Sequence, residues 1–107
     1  MAYAALINAG QVCTSTERVY LPKNRAAKFT EAIVEQVKSL RLGSGLESTT
    51  DMGPMIGDTF RVKFEKQIAD ARASGAKILT GGGRPKHLEK GFFHEPTVLT
   101  GVDHTMV

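Results

Sequence analysis

The chain has a single cysteine, Cys13, so no disulfide can form within it, and the cross-linked frameworks that staple small secreted domains are excluded. No apolar run approaches the ~18 residues that a bilayer crossing needs. The opening residues MAYAALINAG lack the basic start of a secretion signal. The 14 lysines and arginines are interspersed with 11 aspartates and glutamates; although the net charge is +3, no basic run gathers that would favour nucleic acid. There is no internal repeat and no biased tract beyond Gly81-Gly82-Gly83. Together these absences point to a cytoplasmic protein with neither a membrane nor a nucleic-acid partner.

What is present belongs to an ordinary globular protein. Hydrophobic residues make up 41% of the 107 positions and charged residues 23%. A chain of this length is one domain at most, and it buries roughly 60–70% of its unfolded surface.

Periodicity supplies the elements. Ala2, Ala5, Leu6 and Ala9 fall at helical spacing until Gly10 interrupts them, which sets Cys13 just past a helix end. Glu17–Leu21 is a β-prone run stopped by Pro22, and so reads as a strand. From Asn24 to Leu40, Ala26, Phe29, Ile33, Val37 and Leu40 recur three or four apart, with Lys28, Glu31, Glu35 and Lys38 opposite; this predicts an amphipathic helix ended by Gly43-Ser44-Gly45. Phe60, Phe64, Ile68 and Ala71 predict a second, with Arg61/Glu65 and Lys66/Asp70 as i,i+4 pairs and Gly75 as its stop. Ala76–Thr80 and Thr97–Leu99 with Val102 read as further strands. The order is α/β: two long amphipathic helices on a small, mostly parallel sheet.

Most candidate sites have plain readings. Gly81-Gly82-Gly83 is followed by Arg84-Pro85-Lys86, not by the Gly-Lys-Ser/Thr of a phosphate loop, so it reads as a turn. His87, His94 and His104 lack the close spacing of metal ligands and read as solvated or satisfied side chains. Cys13 differs. Gly10 permits a tight bend, Gln11 offers a side chain to hold it, and Thr14-Ser15-Thr16 adds small polar groups instead of bulky cover. A thiol on such a bend is within reach of a substrate. The negative end of a preceding helix disfavours a thiolate there, so activation has to come from elsewhere in the fold.

The stretch Asn8-x-Gly10-Gln11-x-Cys13, followed by Arg18 and a β-run, resembles the active-site segment of the NAD(P)-dependent aldehyde dehydrogenase superfamily. Leu42-Gly43, Asp51–Ile56, Gly75-Ala76, Gly81–Gly83, Gly91–Phe93 and Pro96–Leu99 follow in the order that family shows. The resemblance implies that residues 1–107 are a fragment of the catalytic domain, without the cofactor-binding domain. It implies that Cys13 is the catalytic nucleophile, adding to a small aldehyde to form a thiohemiacetal that yields hydride to NAD or NADP and leaves a thioester for hydrolysis. The backbone amide of Cys13 would supply half of an oxyanion site, Val12 and Thr14 would line the substrate pocket, and Asn8, Gly10 and Gln11 would shape the loop.

Other family features are missing from the sequence. The Glu-Leu-Gly-Gly-Lys motif with the general base lies upstream of the cysteine in the family, as do the second oxyanion donor and the dinucleotide-binding domain. A Glu-Phe-Gly-Pro motif is expected beyond Val107, where the chain stops mid-run as an interrupted polypeptide would. Some members place a cofactor-contacting glutamine where Phe60 stands and a lysine at Lys63, and Phe60 has no hydrogen-bonding atom to offer a ribose. The resemblance further implies a homodimeric or homotetrameric parent enzyme and an inactive isolated chain. The rival expectation is a non-enzymatic interaction or oligomerisation module that keeps this piece of the fold.

Overall fold

The computed structural model describes residues 1–106; Val107 lies outside the described residues. The elements run α1 (Ala2–Leu6), a one-turn 3-10 segment (Ile7–Gly10), α2 (Ala26–Lys38), α3 (Asp58–Ala73), β1 (Lys77–Thr80) and β2 (Val98–Thr100). The architecture is α/β.

The two long helices form where the periodicity places them. α2 is free of glycine and proline and rich in alanine, lysine and glutamate, all strong helix formers. Its apolar stripe is buried unevenly: Val37 is 3% exposed, whereas Phe29 at the other end is 44% exposed. The helix lies against β1 and α1. α3 begins after Gly57 with Asp58 in its first turn and carries Arg72 in its last, the charge order that a helix dipole favours. At its end Gly75 adopts a φ of +105°. The Gly75 N–H donates to the Arg72 carbonyl and the Ala76 N–H to the Ala71 carbonyl, at 3.1 and 3.0 Å. That is a Schellman cap, and its usual apolar contact is supplied by Ala71 and Ala76, both buried. The cap delivers the chain directly into β1.

The sheet corrects the sequence expectation. β1 and β2 pair antiparallel, with Lys77 opposite Thr100, Ile78 opposite Leu99 and Thr80 opposite Val98, and an irregularity falls between Ile78 and Thr80. A parallel pair needs a long crossover, usually helical. Here the connection is the irregular Gly81–Thr97 segment, which reverses the chain instead. The only parallel bridge among the described residues is the isolated one between Leu42 and Met52. Glu17–Leu21 is β-prone but forms no strand: a strand is defined by its partner, and no described residue pairs with it.

Gly81 fastens the reversal. Its φ is +71°, and a Cβ there would stand 2.2 Å from the Pro96 carbonyl oxygen. Beside it the Gly82 N–H donates to Thr97 Oγ1 at 2.9 Å, Thr97 Oγ1–H donates to the Glu95 carbonyl at 2.8 Å, and the Glu95 N–H donates to the Gly83 carbonyl at 2.8 Å. The triple glycine is therefore a closed structural turn, with the Gly82 N–H and the Gly83 carbonyl engaged by its own chain.

α3 packs on the loop that follows this turn. Phe64 meets His94 edge-on, with ring centroids 4.8 Å apart. Arg61 donates to the Gly91 carbonyl at 3.2 Å, pairs with Asp58 and lies over the Phe92 ring. Arg84 makes a two-pronged pair with Glu65 at 2.6 and 2.9 Å, and those hydrogen bonds hold the Glu65 carboxyl below its ordinary range. The i,i+4 pair Arg61/Glu65 is present at 3.8 Å, while Lys66 and Asp70 form no ion pair among the described residues. Phe60, assigned to the apolar stripe by its spacing, stands 55% exposed. His94 is buried rather than solvated, with Nδ1 2.8 Å from the Glu95 carbonyl.

Burial is incomplete. The core comprises Ala2, Val37, Met52, Ile68, Ala71, Ala76 and Phe93, yet among the described residues no side chain falls below 2% exposure. Accessible surface is 7837 Å², roughly a third more than the ~5,800 Å² of a compact monomer of this mass. Tyr3, Tyr20, Leu46 and Ile56 are each more than three-quarters exposed.

Two outcomes follow from this packing. Gly81→Ala forces an unfavourable φ and a backbone clash at once, so it should lower the unfolding free energy of the chain by roughly 2–3 kcal/mol or more, read by urea denaturation. The second concerns the link between Arg41 and Asp51. The Arg41 side chain and backbone N–H both donate to the Asp51 carboxylate, at 2.8 to 3.0 Å, and hold it down from 3.8 to about 2. A depressed carboxyl contributes stability that is complete above its unfolded value and lost as pH falls through the folded one. Melting temperatures measured from pH 5 to pH 2 should therefore drop less steeply in Asp51→Asn than in the parent chain.

Candidate active site

Cys13 sits at the end of a short left-handed stretch. Asn8 has φ/ψ of 52°/38° and Ala9 of 56°/33°, and Gly10 follows with φ +75°. Glycine adopts this region freely and asparagine tolerates it, but alanine seldom enters it, because its Cβ crowds the following carbonyl. The helix therefore ends at Leu6, earlier than the alanine spacing predicts, and the chain reverses through Asn8–Gly10. A side chain at Gly10 would also be crowded, since a Cβ there would lie 3.3 Å from the Ala5 carbonyl oxygen.

The reversal returns the chain onto α1. The Thr16 N–H donates to the Ala4 carbonyl at 3.1 Å, and Ser15 Oγ–H donates to the Ala5 carbonyl at 3.1 Å. These two bonds satisfy carbonyls that the end of a helix leaves without partners. Between the two arms, the Ser15 N–H donates to the Val12 carbonyl at 3.0 Å, closing a tight turn with Cys13 and Thr14 at its two central positions. Cys13 and Thr14 are exposed, whereas Val12 is half-buried. Among the described residues nothing accepts the Cys13 backbone N–H.

Gln11 holds the bend from two sides. Its backbone N–H and its Nε2 both donate to the Asn8 carbonyl, at 3.1 and 3.0 Å, and Asn8 Nδ2 donates back to the Gln11 carbonyl at 3.4 Å. Its Oε1 accepts the backbone N–H of Ile56 at 2.8 Å. Ile56 is absent from the sequence-based site. Any residue with a free N–H serves in that place, so no side-chain signal marks it.

The arrangement presents a thiol and a free N–H on one solvent-facing turn, the combination that an addition to a carbonyl carbon needs. It does not enclose them. A cleft of about 610 Å³ lies between the start of α3 and the Arg84–Phe93 loop, and another of about 560 Å³ lies among α1, α2, the 16–21 segment and β2. Val12, Cys13 and Thr14 line neither. No three histidine, cysteine, aspartate or glutamate side chains gather as a metal site among the described residues. A dinucleotide crevice is built from parallel strands that feed helix N-termini; the described strands are antiparallel, the triple glycine is closed on Glu95–Thr97, and Phe60 offers only carbon. The described residues do not fit a nicotinamide dinucleotide. Among them, no helix is long and apolar enough to cross a membrane.

Comparison with known proteins extends this picture. The model of the aldehyde dehydrogenase family matches residues 1–107. The chain is 41% identical over 97 residues to aminoaldehyde dehydrogenase 2, peroxisomal, of Malus domestica, covering 91% of this chain and 19% of that protein. It is 43% identical over 99 residues to betaine aldehyde dehydrogenase of Hordeum vulgare, covering 92% and 20%. Among solved structures, betaine aldehyde dehydrogenase from Staphylococcus aureus in complex with NAD+ superposes with a TM-score of 0.95 at 38% identity, covering 98% of this chain and 21% of that one. The chain thus spans about a fifth of the length of the proteins it matches.

The left-handed bend makes an inverted expectation at Ala9. In a helix interior, alanine to glycine costs up to about 1 kcal/mol. Here Ala9→Gly should leave stability unchanged or raise it, and the β-branched Ala9→Val should lower it by roughly 1–3 kcal/mol. Thermal unfolding of the two variants beside the parent chain checks the order.

Proposed function

The chain belongs to the aldehyde dehydrogenase family, and from that premise we propose that residues 1–107 are the part of the catalytic domain that carries the nucleophile, Cys13. The observation that supports this most strongly is an exposed thiol on a turn whose own backbone N–H is free. Sγ attacks the aldehyde carbon; the sulfur–carbon bond forms, the carbonyl π pair moves to oxygen, and the thiol proton passes to a base. The new oxyanion accepts a hydrogen bond from the Cys13 N–H. Asn8, Gly10 and Gln11 shape the bend that carries both that N–H and the sulfur. Val12 and Thr14, on either side of Cys13, contribute to the substrate pocket.

The base, the second oxyanion donor and the dinucleotide site belong to other parts of the parent enzyme in this reading. NAD or NADP would be held there and would supply the hydride acceptor, and no residue described in this chain is assigned to hold it. The substrate is a small aldehyde. The aminoaldehyde and betaine aldehyde dehydrogenases among the relatives support an amino-substituted one. A cytoplasmic setting accords with the lone cysteine, while the names of two relatives place those proteins in the peroxisome and the chloroplast. The exposed Tyr3, Tyr20, Leu46 and Ile56 and the surplus surface favour burial against further polypeptide, either the rest of the parent or a second subunit of a homodimer or homotetramer. They also favour the second reading, an interaction module; the mass of the protein in its native cell separates the two, being several times larger for a full-length enzyme.

Two assays test the catalytic reading. In the full-length parent, Cys13→Ala should reduce NAD(P)-dependent aldehyde oxidation by roughly 10⁴-fold or more; retained oxidation would overturn the role of Cys13. The purified 107-residue chain should oxidise no aldehyde, and turnover abolished by Cys13→Ala would overturn its standing as a part.

A further inference from the structure

We infer that the Gln11 carboxamide is the latch that positions the Cys13 turn, and that the Gly53–Gly57 loop is the platform it fastens to. This rests on the reading of Cys13 as the nucleophile, and makes Gln11 a positioning residue that acts on the sulfur through the backbone.

The turn is held on two sides, and the sides differ in kind. On one, Ser15 and Thr16 tie it to α1, an element of only five residues. On the other, the bond from the Ile56 N–H to Gln11 Oε1 is the one hydrogen bond among the described residues that joins positions 8–16 to any later part of the chain. The platform is itself anchored: the neighbouring Met55 N–H donates to the Phe92 carbonyl at 3.0 Å, and Arg61 of α3 holds the Gly91 carbonyl. A hydrogen-bonded path therefore runs from α3 through Gly91–Phe92 and Met55–Ile56 to Gln11 and Asn8. Every atom of the carboxamide that can bond is used, Nε2 inward to Asn8 and Oε1 outward to Ile56. The strained Asn8–Ala9 pair is the segment that needs such restraint, because left-handed backbone at a non-glycine residue persists only where its surroundings hold it.

The lone cysteine makes the test clean. A nitroxide attached to Cys13 reports the motion of the turn, and amide exchange at Ile56 reports the latch. In the 107-residue chain with wild-type helix content, Gln11→Leu should speed exchange at Ile56 by about fivefold or more, leave amides of α2 and β1 unchanged, and add a mobile component to the nitroxide spectrum. Gln11→Asn, which shortens the reach by one methylene, should repeat this result and carries the test where the leucine variant fails to fold. Gln11→Glu keeps an acceptor for Ile56 but replaces the Nε2 donor with an oxygen set against the Asn8 carbonyl, so it should mobilise the nitroxide as leucine does. In the full-length parent, Gln11→Leu should lower kcat by roughly 10²-fold with KM little changed. Unchanged exchange and an unchanged spectrum in a folded Gln11→Leu chain would overturn the latch, as would a glutamate variant whose nitroxide spectrum matches that of the parent chain. Neither measurement depends on chemistry at sulfur, so the latch and the nucleophile stand or fall separately.

Discussion

Three successive residues with positive φ, Asn8, Ala9 and Gly10, are the constraint on which the site depends. A right-handed continuation of α1 would carry the chain onward and leave its last carbonyls bare. The left-handed stretch turns the chain back, so that Ser15 and Thr16 meet those carbonyls and Cys13 and Thr14 are left outside. Exposure of the thiol is thus a product of backbone handedness. The strain in Ala9, of order 1 kcal/mol, is offset by bonds made on both sides of the bend.

A second closure supports the first from a distance. Gly81 lets the chain pass against Pro96, and the Gly82–Thr97 and Glu95–Gly83 bonds seal that crossing. With its two ends joined there and at the β1–β2 pair, the segment between them has a defined path across α3. That path sets the carbonyls of Gly91 and Phe92 where Arg61 and Met55 reach them. Met55 is followed by Ile56, and Ile56 by the start of α3 after Gly57. The sheet is small, but its antiparallel return is what gives the platform under the thiol loop its position.

Legibility in the sequence divided along physical lines. α2 and α3 are legible because a 3.6-residue period leaves a repeated mark, and Gly75 marks the Schellman cap. β1 and β2 are legible as short β-prone runs, yet their direction is not, since alternation and propensity carry no information about which way a partner runs. Glu17–Leu21 has the propensity and lacks a partner among the described residues. Phe29 and Phe60 lie on apolar stripes and remain exposed, because a stripe states which face is apolar and not how far along it a neighbour extends. In the site, Gly10 announces a bend and Gln11 a brace, but the bond to Ile56 is made by a backbone amide, and Ala9 is the last residue whose type would advertise left-handed backbone.

The distribution of charge shows what kind of contribution this chain makes. Of its ion pairs, Arg41 with Asp51 fastens loop to loop, Arg61 with Asp58 lies within α3, and Arg84 with Glu65 fastens α3 to the segment after the triple glycine. None of them includes a residue of the 8–16 bend, whose hydrogen bonds all run through neutral amides, carbonyls and one hydroxyl. None of these hydrogen-bonding groups is a base or a cation, and a nucleophilic sulfur needs one beside it. In the proposed reading, such a segment receives its electrostatics from polypeptide packed against it. The same contact that would bury Tyr3, Tyr20 and Ile56 would lower the local dielectric around the turn, and in that setting an exposed N–H donor becomes an effective partner for an oxyanion.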